Sequence, residues 1–378
     1  MANFKVKNGL QAGRYLLSGG TETAGSEGYA LSGASYDGVS FSTGSQDISP
    51  REVRFNADGT KMYISGATND AVYQYTLSTA YDVSTASYDS VSFSVASQDT
   101  SPSALWINND GTKFYILGGG NDSVFQYSMS TAYDLSTASY DSVSFSVASQ
   151  DTSPLGLAFN SDGSKMYFSG GLTDTVYQYT LSTPYNVGTA SYDSVSFNVA
   201  AQETTPFGLF FNTTGTKLFV VGNNTDAVDQ YSLSSAYNIG TASYDSVSYS
   251  ITEDSNPLGV SFNPDGSKMY ITGIGVAGIY QYSTASYTQT LDLSTGTTFS
   301  FTPSGATTVS FTNAPASGIA VGFSVEINGD GSAITWPTSV KWPSGVAPTA
   351  TASKEVYAFV TTDGGTSYYG KRAAEGIL

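Results

Sequence analysis

The Tyr-Asp pair of the string SYDSVSF recurs at Tyr36, Tyr88, Tyr140, Tyr192 and Tyr244, a constant step of 52 residues. Two other landmarks keep the same beat to within one residue. A proline closes an SP, TP or NP step at Pro50, Pro102, Pro154, Pro206 and Pro257, and a Gln-Tyr pair begins at Gln74, Gln126, Gln178, Gln230 and Gln281. A fixed period of this length means a repeat architecture in which each unit buries its apolar face against the next. Every unit reads as four β runs. Strand a follows the proline, with apolar residues at alternate positions such as Val53 and Phe55; a tight Asp-Gly or Thr-Gly turn leads to strand b, strand c holds the Gln-Tyr pair, and strand d is SYDSVSF. Four short strands with turns between them fit a propeller blade.

The phase of the repeat constrains the fold further. The first d-type strand, Tyr36–Thr43, precedes any strand a, and the fifth unit stops after its strand c at Tyr282. The two truncations are complementary. The N-terminal strand is therefore expected to pair beside Gln281 and complete the last blade, removing two open edges. An open solenoid would give no reason for this complementarity. The expectation is an all-β chain: a closed five-bladed propeller over 36–283, preceded by an arm at 1–35 and followed by a second all-β domain at 284–378. That last segment alternates apolar and polar residues between Gly and Pro turns, as in a small sandwich or jelly roll. It carries Trp336 and Trp342, which are either core residues or an exposed contact.

Composition narrows the function. With 14 basic against 31 acidic residues the net charge is −17, which disfavours nucleic acid as a partner. The chain has no Cys and no His, so disulfides, thiolate metal sites, His-based catalysis and His-ligated zinc are excluded. The first 20 residues contain no apolar stretch of the signal-peptide kind, and no run approaches the ~20 residues of a membrane span. Export by a signal peptide and membrane insertion are therefore not expected.

Loops d–a and b–c emerge on one propeller face, loops a–b and c–d on the other. Each d–a loop carries an acid three residues before its proline: Asp47, Asp99, Asp151, Glu203 and Asp254. The b–c loops add Asp70, Asp122, Asp174 and Asp226. This ring either binds Ca²⁺ or a partner, or accepts backbone N–H bonds in turns. Lys61, Lys113, Lys165, Lys217 and Lys268 fall on the opposite face. The YQY tyrosines either stack on sugars or sit half-buried in the strands. Deviations from the repeat are few, notably Arg51, Glu52, Arg54 and Trp106, and none reads as an acid–base pair, so no catalytic residue is assigned and the chain reads as a non-enzyme.

The strings SPLGLAFNSDGSKMYFSG and TPFGLFFNTTGTKLFVVG resemble the YVTN-type propeller repeat over the first half of each unit, which implies fold and not activity. MANFKVKNGLQAGRYL, TASYDSVSFSVASQDTSP and ITWPTSVKWPSG with EVYAFVTTDGGTSYYGK together resemble structural virion proteins of tailed, marine bacteriophages, particularly tail-fibre and appendage proteins. That resemblance implies attachment to other virion proteins through the N-terminus, host adhesion through a bacterial surface glycan or protein receptor, a homotrimer, and release by lysis. A capsid or tail decoration protein, a polysaccharide depolymerase and a secreted lectin are the rivals.

Overall fold

The computed structural model describes residues 21–25, 29–284, 286–303, 306–329, 334–343, 345–351 and 353–377. Blade one comprises Pro50–Phe55, Lys61–Gly66, Ala71–Leu77 and Ala86–Ser94, paired antiparallel in chain order. Blades two to four repeat this arrangement. In the fifth, Pro257–Phe262, Lys268–Gly273 and Gly278–Ser283 are joined by Ser35–Ser42 from the front of the chain. Val39 lies opposite Gln281 and Tyr36 opposite Tyr282, as the phase of the repeat requires. The a strands pack side by side around the axis, and that of blade five abuts that of blade one, so the ring is closed. Strand b is buried along nearly its whole length, whereas strand d alternates half-buried and exposed positions, as the outer edge of a blade should.

Polar staples tie each blade to the next. The Gln74 side-chain oxygen accepts from Leu135 N at 2.8 Å, and its amide donates to Asp89 at 2.8 Å. Gln126, Gln178 and Gln281 make the same bridge to Val187, Ile239 and Val83. Asp89 is shared with Lys61 at 2.7 Å, and the set recurs as Lys113–Asp141, Lys165–Asp193, Lys217–Asp245 and Lys268–Asp37. The five lysines are therefore each paired within their own blade. The second YQY tyrosine, Tyr75, Tyr127, Tyr179, Tyr231 or Tyr282, is fully buried, so this motif is core.

The propeller begins earlier than residue 36. Two compact units divide the chain: 27–285, and 1–26 together with 286–378. Residues 29–34 supply the c–d loop of blade five. Tyr29 N donates to Gly266 O as Tyr81 N does to Gly59 O, and Leu31 N reaches the Gln230 side chain at 3.5 Å. The equivalence is hidden because this copy reads YALSG: Ala30 replaces the Asp or Asn whose side chain caps the short 3-10 turn elsewhere.

The expected free arm at 1–35 is thus corrected at its far end as well. Thr21–Gly25 is a strand of the second unit, antiparallel to Ser286–Asp292 with Gly25 opposite Ser286. The propeller is inserted between two neighbouring strands of the other unit. Residues 1–20, on which the attachment reading falls, lie outside the described residues. The second unit has a four-stranded and a five-stranded sheet sharing one core that includes Leu291, Val309, Phe323 and Trp336, which makes it a sandwich. Four of its pairings are parallel, unlike an antiparallel jelly roll. Trp336 is 7% exposed, and Trp342 meets it edge-on at 5.7 Å. Both tryptophans pack in this core.

Excision of 27–285, with a short turn joining Gly25 to Ser286, should leave the sandwich folded. The measurement is the dispersion of its amide resonances; a collapsed spectrum would contradict the insertion.

Candidate functional site

The five d–a acids are 1–3% exposed and spent on backbone. Asp47 Oδ1 accepts from Ser49 N at 2.8 Å and Thr68 N at 3.2 Å, and Oδ2 accepts from Asn69 N at 3.0 Å. Asp99 takes Ser101, Gly120 and Asn121; Asp254 takes Asn256, Gly275 and Val276. Asp151 and Glu203 bind both backbone and hydroxyl of Thr173 and Thr225. Each acid therefore locks its d–a loop to the b–c loop of its own blade. The glycine ending strand b is required for this: a Cβ on Gly66 would lie 2.3 Å from the Asp47 carboxyl carbon. The acids neither converge nor face solvent. Asp70, Asp122, Asp174 and Asp226 sit in left-handed backbone at the b–c turns. Among the described residues no group of three or more His, Cys, Asp or Glu is placed to hold a metal.

Asp151→Ala should lower stability by about 2–4 kcal/mol, since buried N–H donors lose their acceptor at about 1–3 kcal/mol each. Chelator should leave the wild-type melting midpoint unchanged. A chelator-induced drop in thermal melting would restore the calcium reading.

The symmetry breaks on the axis. Successive a strands read PREVRF, PSALWI, PLGLAF, PFGLFF and PLGVSF. Arg54 lies across the centre of the ring, 5% exposed. Its Nε donates to Leu105 O at 3.1 Å, Nη1 to Val260 O at 3.2 Å and Nη2 to Leu209 O at 3.5 Å, carbonyls from three other blades. Glu52 closes an ion pair with it at 3.3 Å. The guanidinium lies 4.4 Å from the Trp106 ring centre and 5.8 Å from that of Phe210, a buried cation–π contact. Glu52 and Arg54 do pair acid with base, contrary to the sequence reading. The signal was present: positions i and i+2 share one face of a strand, and opposite Glu52 the other blades have only Ala104, Gly156, Gly208 and Gly259.

At the a–b and c–d end of the axis a cavity of about 410 Å³ opens above Arg54, with Trp106, Phe210 and Ser261 among its lining. Its wall includes Tyr29, Tyr81, Tyr133 and Tyr237. These belong to a ring of five c–d tyrosines, with Tyr185, all at positive φ between 58° and 79°. Left-handed backbone costs a bulky residue about 1–3 kcal/mol. Packing offsets it: each ring covers a turn glycine, Gly111 for Tyr133, where a Cβ would lie 2.3 Å from the ring. Each hydroxyl donates to its own a–b turn, Tyr81 to Ala57 O at 2.7 Å and Tyr133 to Asn109 O at 2.6 Å. The ring faces are thus fixed in place and their hydroxyls are spent.

Burial drives the Glu52 carboxyl up to about 8, with Arg54 opposing. Burial also raises Asp229, which stands where the other blades have Tyr or Phe. A carboxyl whose folded pKa exceeds its unfolded value binds a proton on folding, so stability falls as pH rises from the unfolded pKa through the folded one. The melting midpoint should therefore decline between about pH 4.5 and 8, and Glu52→Gln should flatten the decline. A slope identical in the variant would show that Glu52 does not titrate there.

No protein-family model matches the chain, and no curated protein matches it. Solved structures similar to part of the chain include a functionally unknown protein from Desulfotomaculum acetoxidans, with 14% identity over 59% of this chain and 62% of that one, TM-score 0.39. A "putative 6-phosphogluconolactonase" from Bacteroides fragilis has 15% identity over 53% and 55%, TM-score 0.39. The β-propeller domain of Cps50 (Swd1) from Myceliophteria thermophila has 9% identity over 65% of this chain and 99% of that domain, TM-score 0.40. The chain covers less than two thirds of the first two. At these values none informs activity, and the propeller stands on the strand pairing above.

Proposed function

We propose that the chain is a receptor-binding component of a tailed-phage virion appendage, a tail fibre or host-adhesion protein, and that its propeller meets the host through the axial cavity. The observation that carries the reading is the cavity itself. At its floor the near-repetitive ring departs from its own symmetry through Arg54, Trp106 and Phe210, and its lining is aromatic and preorganised, as binding pockets are. The acid beneath it, Glu52, is 1% exposed and tied to Arg54, a poor position for acid–base work on a ligand in the cavity. The sequence resemblance to virion appendage proteins supplies the biological setting, including other virion proteins as partners and a homotrimeric assembly.

The test is competition. Purified chain should bind host cells and block adsorption of the phage that carries it, and Trp106→Ala should lose both effects. Binding to phage heads with no effect on adsorption would point to a decoration protein instead. Release of reducing ends from host polysaccharide would point to a depolymerase.

A further inference from the structure

We infer that the axial cavity takes an uncharged sugar ring laid on Trp106; this rests on the receptor-binding reading above and specifies its ligand. Three features of the site lead to that class. First, the cavity offers no free cation to an acidic ligand. Arg54 is spent on three carbonyls and on Glu52, and the lysines of this face are each paired with an aspartate. The chain's net charge of −17 adds long-range repulsion of anions.

Second, the cavity is not purely apolar. Trp106 and Ser261 both line it, and among the described residues neither the indole N–H nor the Ser261 hydroxyl makes a hydrogen bond. An apolar occupant would leave such polar groups unpaired, whereas hydroxyls can meet them. Third, the floor is uneven. At the level of Arg54 the blades contribute Arg54, Trp106 and Phe210 but also Ala158 and Ser261, so bulk stands on blades one, two and four and space on three and five. An aromatic floor with hydrogen-bonding groups to one side suits a ring that has an apolar C–H face and hydroxyls at its edge. A volume of about 410 Å³ is on the small-molecule scale of roughly 300–1,000 Å³.

Trp106 is the propeller's single tryptophan, so its emission reports on this site, while Trp336 and Trp342 report on the sandwich. The intact chain is titrated with methyl glucoside, methyl galactoside and N-acetylglucosamine, and in parallel with glucuronic and sialic acids. A neutral sugar should give a saturable emission change that is independent of salt and absent from Trp106→Phe. Ser261→Ala, which leaves the tryptophan in place, should weaken binding about fivefold, the size of one hydrogen bond of about 1 kcal/mol. A change retained in Trp106→Phe, binding of the acidic sugars alone, or no response to any neutral sugar overturns the inference. If no sugar binds but cell adsorption still depends on Trp106, the sugar class fails and the receptor reading stands. If adsorption fails as well, both fall.

Discussion

Deletion of residues 27–42 should abolish the folded propeller. The loss reaches well beyond one strand. Tyr29 stacks among Phe210, Phe219 and Phe262 at ring-centre distances of 5.2–6.3 Å. Leu31, Tyr36, Val39 and Phe41 pack on the same seams. At about 1.5–3 kcal/mol for each fully buried side chain, Tyr29 and Leu31 alone account for about 3–6 kcal/mol, and half-buried Tyr36, Val39 and Phe41 add to it, a large part of a whole domain's stability. Asp37 also leaves, and with it the acceptor for Lys268 at 2.7 Å, Gln281 at 3.0 Å and Ser283 at 2.7 Å. The edge of Gly278–Ser283 is then bare and open to strangers. The truncated chain should aggregate and show no cooperative melt at the wild-type position, and a synthetic peptide of residues 27–43 should restore the melt. A truncated monomer that melts normally would mean that the segment is decoration.

Arg54→Ala should cost about 3–5 kcal/mol, because three buried carbonyls lose their donor at about 1–3 kcal/mol each, and should lower the melting midpoint by roughly 10 °C for a unit of this size. The substitution also takes from Glu52 its ion-pair partner at 3.3 Å, which drives its carboxyl further up. Removing both charges as Arg54→Met with Glu52→Gln should cost less than the sum of the single changes, because the pair is coupled. Additive losses in chemical denaturation would show that guanidinium and carboxylate do not interact. Sugar binding should weaken with Arg54→Ala even where the fold survives, since Trp106 would lose the cation at 4.4 Å that steadies it.

Much of the ring was legible because its units are short, local and repeated. The complementary truncation at Tyr36 and Tyr282 fixed which strand closes which blade, and the pairing of Val39 with Gln281 follows it. The Asp-Gly turns are hairpins as read, with Gly59 at φ 73°. The staples were not legible. Gln74 reaches a backbone N–H 61 residues away, and spacing along one blade says nothing about contact with its neighbour. The d–a acids could be read as ligands or as turn acceptors, and the glycine that makes room for them, Gly66 beside Asp47, was the discriminating clue. Residues 29–34 escaped because Ala30 lacks the capping side chain that marks the other copies. The axial cavity is a property of five strands converging, so no single unit could announce it; only the mismatch among PREVRF, PSALWI and their counterparts did.

The most direct test exploits a chain with no cysteine of its own. Ser35 and Ser283 lie opposite each other where the closing strand meets blade five, within reach of the Cα separation of about 4.4–6.8 Å that a disulfide spans. Ser35→Cys with Ser283→Cys, oxidised in the folded state, should yield one bridge within each chain, identified by mass spectrometry of the peptides bearing residues 35 and 283. A folded protein that forms no such bridge, or forms it only between chains, would contradict closure of the ring by its own front end.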